Sequence, residues 1–303
     1  MKTSATQTAK RQILFILVTI TGLFTAALLQ ANADTLYVSA DTGIILRFDA
    51  ATGANLGVFA SGLNGPDGMA FDSSGNLYVA NYQNGSGTTL SRISPNGGVS
   101  VFANSGLFGP GAMTIDSSGN LYVGNNNGNI EKFTPSGVGS VYATFPIESI
   151  GGLAVDTAGD LYVANDRAGT VQKITPGGSD TVFAHVSNPA GMVFDNQGNL
   201  YVANYLGNSI LKFTPGGAGS VFANTGMIFP YGLAFDSAGN LYATYPGGEI
   251  EKYTPSGAAS LFSTTGPNPP AFIVIQVPEP RTTMFLAMSA ATLLAGLRLR
   301  MRA

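Results

Sequence analysis

The chain runs to 303 residues with no cysteine, 40 glycines and a charged fraction of only 10%. Without cysteine, disulfides, thiolate catalysis and cysteine-bound zinc are excluded. Between residues 34 and 276, seven basic residues face sixteen acidic ones, a formal charge of −9. No Lys/Arg stripe is present there, which argues against a nucleic-acid partner.

In chain order, residues 1–33 read as a secretory signal peptide, expected to be helical. Lys2, Lys10 and Arg11 supply a basic start, Ile13 to Leu29 an apolar stretch, and Ala31-Asn32-Ala33 a small-x-small cleavage site, with cleavage after Ala33.

From residue 34 a repeat takes over. Leu-Tyr followed by Val or Ala recurs at Tyr37, Tyr78, Tyr122, Tyr162, Tyr201 and Tyr242, with spacings of 41, 44, 40, 39 and 41 residues. A period near 40 built of short apolar runs and Gly/Pro/Asn/Ser turns predicts stacked β units. One unit reads as four strands: Gly232 to Asp236, Leu241 to Ala243, Ile250 to Tyr253 and Ser260 to Ser263. The second strand is apolar without alternation, so it must be covered on both faces, as in sheets stacked around an axis. The sequence therefore predicts an all-β fold over residues 34–276, a β-propeller of four-stranded antiparallel blades.

Copies of the first strand begin near Gly68, Ala112, Gly152, Gly191 and Gly232, five against six second strands. The missing copy is Asn268 to Ile275, which aligns with Phe229 to Asp236. A strand from the C-terminal end is thus expected to complete the first blade and close a ring of six, leaving no open edges. Asp72, Asp116, Asp156, Asp195 and Asp236 each precede a two-residue spacer and a Gly. The uniform recurrence of this pattern predicts turn chemistry rather than calcium loops. The repeated tyrosines, with Phe102, Phe183 and Phe222, are expected to pack between blades. The motif Gly-Met-Ala-Phe-Asp-Ser-Ser-Gly-Asn-Leu-Tyr-Val-Ala-Asn at 68–81, echoed at 191–204, resembles the NHL-repeat family of six-bladed propellers. It is more loosely similar to gluconolactonase-like and streptogramin-lyase-like propellers.

Residues 277–303 form the tail. Val277-Pro278-Glu279-Pro280 is followed by an uncharged stretch from Thr282 to Leu297 and then by Arg298, Arg300 and Arg302. Sixteen residues at ~1.5 Å each reach about 24 Å, enough for a short transmembrane helix with flanking arginines. The arginines should stay cytoplasmic, placing the propeller outside. The Pro278-Glu279-Pro280 motif, apolar stretch and terminal arginines resemble the PEP-CTERM sorting signal. That resemblance implies an exosortase-type processing enzyme as partner. It also implies transient anchoring in the inner membrane and delivery to the outer envelope, cell surface or extracellular matrix of a Gram-negative-type bacterium.

Antiparallel order puts the Asp-x-x-Gly turns on one rim and the irregular loops on the other. The irregular rim supplies the candidate binding residues Asp67, Asn81, Tyr82, Asn125, Asn165, Asp166, Arg167, Asn204, Tyr205, Tyr231 and Tyr245. Amide groups and flat aromatic surface suit neutral polar ligands, such as an extracellular polysaccharide or a surface protein. The gluconolactonase resemblance implies a calcium-dependent hydrolase as the alternative, with Asp67, Asn125, Asn165 and Asn204 as metal ligands. The glutamate such relatives carry before a first strand is absent here. His185, the single histidine, ends a fourth strand at the periphery, and Glu148 stands alone on the rim. Glu131 and Glu251 each precede a Lys and are expected as solvated pairs. No catalytic residue and no required cofactor are expected; the sequence reads as a non-catalytic binding or scaffold module.

Overall fold

The apolar second strands (Thr35–Ala40, Leu77–Asn81, Leu121–Asn125, Leu161–Asn165, Leu200–Asn204 and Leu241–Thr244) are buried almost throughout, as a strand covered on both faces must be. In the computed structural model each lies inside a four-stranded antiparallel sheet, and six such sheets form the blades. The structure describes residues 34–145, 150–266 and 269–277. The segment read as a signal peptide (residues 1–33), Glu148, Asn268 and residues 278–303 of the segment read as a sorting signal, with its arginines, lie outside the described residues. The unit Thr35–Gln276 carries every strand among the described residues; of the other unit, only Asp34 and Val277 are described.

Blade 1 has the order expected from the missing repeat. Pro270–Gln276 pairs with Thr35–Ala40, which pairs with Ile44–Asp49 and then Asn55–Ser61. The other blades take their four strands consecutively, from an inner strand at the axis to an outer strand at the periphery. Thr35 pairs with Gln276, so the chain enters and leaves the propeller side by side. Both ends sit on the rim of the Asp turns, where Gln276 Nε2 lies 3.0 Å from an ideal Cβ on Gly75.

Inner strands approach each other backbone to backbone. A Cβ on Gly68 would sit 2.2 Å from the Gly111 oxygen, and one on Gly152 would sit 2.3 Å from the Ala190 oxygen. Glycine is required there because the neighbouring atoms are main chain and cannot move aside.

The repeated tyrosines pack edge to face with an outer-strand ring and, in several blades, with the next inner strand. Tyr162 meets Phe183 at 5.0 Å and Phe194 at 5.1 Å; Tyr201 meets Phe222 at 5.0 Å and Phe235 at 4.9 Å. Burying each such ring stabilises by ~1.5–3 kcal/mol. In register opposite each tyrosine stands a third-strand cation: Arg47, Arg92, Lys132, Lys173, Lys212 or Lys252. The lysines lie over the rings and reach the turn aspartates, as Lys252 does Tyr242 at 5.0 Å and Asp236 at 3.5 Å.

The turn aspartates behave as read from their spacing. In blade 5, Asp195 Oδ1 accepts the Gln197 and Asn199 amides at 3.0 and 2.8 Å, and Oδ2 accepts Asn199 Nδ2 at 2.8 Å. Glu131 and Glu251 differ from expectation: they are only 4% and 6% exposed. The adjacent lysine takes the tyrosine-facing side of the strand, which turns the glutamate into the packing between blades.

Candidate functional site

Near its start, the inner strand is interrupted in five of the six blades. Pro66 pairs with Asn81 but Met69 pairs with Val79, so one extra residue is inserted; the same shift separates Pro110 from Met113 and Pro189 from Met192. Proline at the strand start has no amide to leave unpaired, and the bulge that follows turns a side chain toward the axis. The six equivalent positions after that start are Asp67, Gly111, Gly151, Ala190, Tyr231 and Ala271. All six line the mouth of the central channel on the irregular rim. Four are Gly or Ala and leave space. Asp67 and Tyr231 alone project chemistry.

The mouth comprises two adjoining cavities of about 390 and 260 Å³ that share Asp67, Tyr82, Tyr205 and Tyr231. Asp41, Asn64 and Asn84 extend the larger; Asn125, Asn126 and Asp166 extend the smaller. Tyr205 stacks on Phe229 at 4.8 Å and meets Tyr231 edge-on at 6.3 Å, while Asn126 Nδ2 donates to the Tyr82 hydroxyl at 3.3 Å. An ideal Cβ on Gly111 would lie 3.2 Å from Asp67 Oδ2 and 3.8 Å from Tyr82 Cδ2, so the acid and the ring border one space.

Electrostatically the mouth is an acidic site. Burial, and then the Asp41 carboxylate, push the Asp67 carboxyl up to about 7. Asp67 and burial together raise the Tyr231 hydroxyl well above the usual phenol range, with Tyr82, Asp166 and Tyr205 adding to the effect. Neither cavity wall contains Lys or Arg. Backbone strain gathers on the same rim. Among the described residues, the non-glycine positions with left-handed φ are Gln83, Asn84, Asn188, Asn208 and Phe229. All five belong to its loops, and such strain concentrates where binding geometry is imposed.

Of the sequence-derived candidates, Asp67, Tyr82, Asn125, Asp166, Tyr205 and Tyr231 line the mouth. Asn81, Asn165, Asn204, Arg167 and Tyr245 do not. Asn81 donates to Thr89 Oγ1 and Ser91 Oγ, both at 2.9 Å; Asn165 Oδ1 accepts the Ala168 amide at 3.0 Å; Asn204 donates to Ser209 Oγ at 2.9 Å. These asparagines tie second strands to the turns that follow. Tyr245 takes the place of that asparagine in blade 6, is 1% exposed, and shares a buried hydrogen-bond chain with Tyr253 and Glu251. Arg167 lies in an exposed turn.

The four-residue calcium set does not fit a calcium ion. Asn125 is 1% exposed and its Oδ1 accepts the Phe108 amide at 3.0 Å, while Asn165 and Asn204 border neither cavity. Among the described residues no three acidic or histidine side chains stand close enough to hold an ion. Sequence reading missed Asp41 and Asn64, which enter only through the way the loops fold over the axis. The proline that opens four inner strands, Pro66, Pro110, Pro189 and Pro270, was the available sign of the bulge.

No family model matches the chain, and no curated protein sequence does. Among solved structures it is similar to a streptogramin B lyase, at 19% identity over 67% of this chain and 70% of that one, with a TM-score of 0.57. It is also similar to a catalytically inactive virginiamycin B lyase of Staphylococcus aureus, carrying a histidine-to-alanine substitution, with quinupristin: 21% identity, 68% and 73% coverage, TM-score 0.57. A protein of unknown function from Bacteroides caccae matches over 82% of this chain and all (100%) of that one, at 14% identity and a TM-score of 0.60. At these identities the likeness establishes the fold alone: the chain is a six-bladed β-propeller.

Proposed function

We propose that the chain is an exported NHL-like propeller, sorted through its PEP-CTERM tail, that acts as a non-catalytic binding or scaffold module at the cell surface or in the extracellular matrix. Its partner is a polysaccharide or protein of the extracellular polymer, and its binding face is the mouth of the irregular rim. One observation carries the reading: six equivalent positions at the starts of the inner strands converge there, and only Asp67 and Tyr231 depart from Gly or Ala. Tyr82 and Tyr205 add ring surface, and the paired strand ends Thr35 and Gln276 lie at the opposite rim.

Catalysis finds little support among the described residues. His185 is exposed at the end of an outer strand and borders neither cavity of the mouth. A hydrolase would need a positioned base with a partner to orient it. Screening the purified protein on arrays of extracellular polysaccharides and surface proteins should give saturable binding to at least one class, lost in Tyr231→Ala. Absence of any saturable ligand, or lactone turnover with stoichiometric calcium, would overturn the reading.

A further inference from the structure

The propeller keeps its cations away from the mouth. Arg47, Arg92, Lys132, Lys173, Lys212 and Lys252 all stand opposite the second-strand tyrosines, toward the Asp-turn rim. Arg167, the remaining basic residue of the propeller, is outside the walls of the mouth. Those walls hold Asp41, Asp67 and Asp166 with no Lys or Arg. Asp67 accepts no hydrogen bond from any described residue and is surrounded by protein except where it meets the cavities. A carboxylate so placed loses hydration without gaining a counter-charge, an arrangement that a bound cation relieves.

The nature of the cation follows from the other walls. Calcium takes six to eight oxygen ligands, and the mouth assembles no such set. It offers tyrosine rings instead, with Tyr205 and Tyr231 set at 77° to each other and Tyr82 bordering Asp67. Aromatic faces attract organic cations through the ring quadrupole, and hydrocarbon-clad ammonium groups are the usual occupants of such boxes. We infer that the mouth binds an organic ammonium group, quaternary or a protonated aliphatic amine, with Asp67 as its counter-ion and the tyrosine rings as its walls. This rests on the reading of the mouth as the binding face and names the chemistry it selects.

Choline and its uncharged isostere 3,3-dimethylbutan-1-ol test the inference, because they share a shape and differ in charge. Titrated into the purified protein at pH 8 by calorimetry or NMR, choline should saturate and bind at least about tenfold more tightly than the isostere. Asp67→Asn should abolish that preference. Gly111→Ala places a methyl beside Asp67 and Tyr82 and should weaken choline without unfolding the protein. At pH 6 choline should bind less well than at pH 8, because Asp67 takes up a proton. The other titratable groups facing that site are Asp41, Asp166, Tyr82, Tyr205 and Tyr231. Equal affinity for the two compounds, no choline binding at pH 8, or a preference that survives Asp67→Asn would overturn the inference. If neutral polysaccharide binds the mouth while choline fails, the inference falls and the binding reading stands.

Discussion

The two rims of this propeller solve the same problem in opposite ways. On the Asp-turn rim every left-handed position is a glycine, and each turn aspartate accepts backbone amides. The irregular rim places Asn, Gln and Phe in the left-handed region and leaves Asp67 without a donor among the described residues. One rim is chemically satisfied and repeats itself; the other is strained, acidic and varies from blade to blade. Repetition marks what the fold needs, and departures from it mark what the fold presents.

The largest effect should come from the inner ring that both rims share. Gly152→Ala would drive a Cβ to 2.3 Å from the Ala190 oxygen, and overpacking against main chain should cost about 2–3 kcal/mol in urea unfolding. Unchanged stability would show that the inner strands have room to separate.

On the satisfied rim, burial pushes the Asp195 carboxyl up, but hydrogen bonds from Asn199 and Gln197, helped by Lys212, outweigh it and hold it below the usual range. Its stabilising contribution is present above the unfolded-state value of ~4 and is lost as pH falls below it. Asp195→Ala should cost about 2 kcal/mol at pH 7 and much less in acid, measured by thermal unfolding against pH.

Asp67 should show the opposite sign. Its folded value is raised to about 7, so between ~4 and that value the folded state holds a proton that the unfolded state has released. Stability therefore falls as pH rises through this window. Asp67→Asn should be more stable than the native protein by about 1 kcal/mol at pH 8, a figure discounted for partial contact with water, and the gap should close near pH 4. A stabilising residue in the mouth would instead lose stability on substitution.

Much of the satisfied rim was legible in the sequence because its chemistry is local. Asp, spacer and Gly lie within four residues of each other, so Asp72, Asp116, Asp156, Asp195 and Asp236 announce their turns by spacing alone. The six-against-five strand count likewise revealed the closing strand Pro270–Gln276. The mouth was only half legible. Asp67 and Tyr231 stand out as departures from Gly and Ala, but Asn81, Asn165, Asn204 and Tyr245, at the ends of second strands on the same rim, point elsewhere. Whether a residue after the second strand faces the axis or its own third strand depends on pairing such as that of Asn81 with Ser91, which is set in three dimensions. Glu131 and Glu251 were misread for a related reason: a Glu-Lys pair looks solvated until the tyrosine opposite claims the lysine.

The most direct test is a carboxyl NMR titration of Asp67 in the folded protein. The bulge that aims it into an acidic, protein-walled mouth predicts a midpoint of about 7, shifting downward when an ammonium ligand is present. A midpoint near the ordinary aspartate value of ~4 would place Asp67 in open solvent and contradict the account of the mouth as a desolvated binding site.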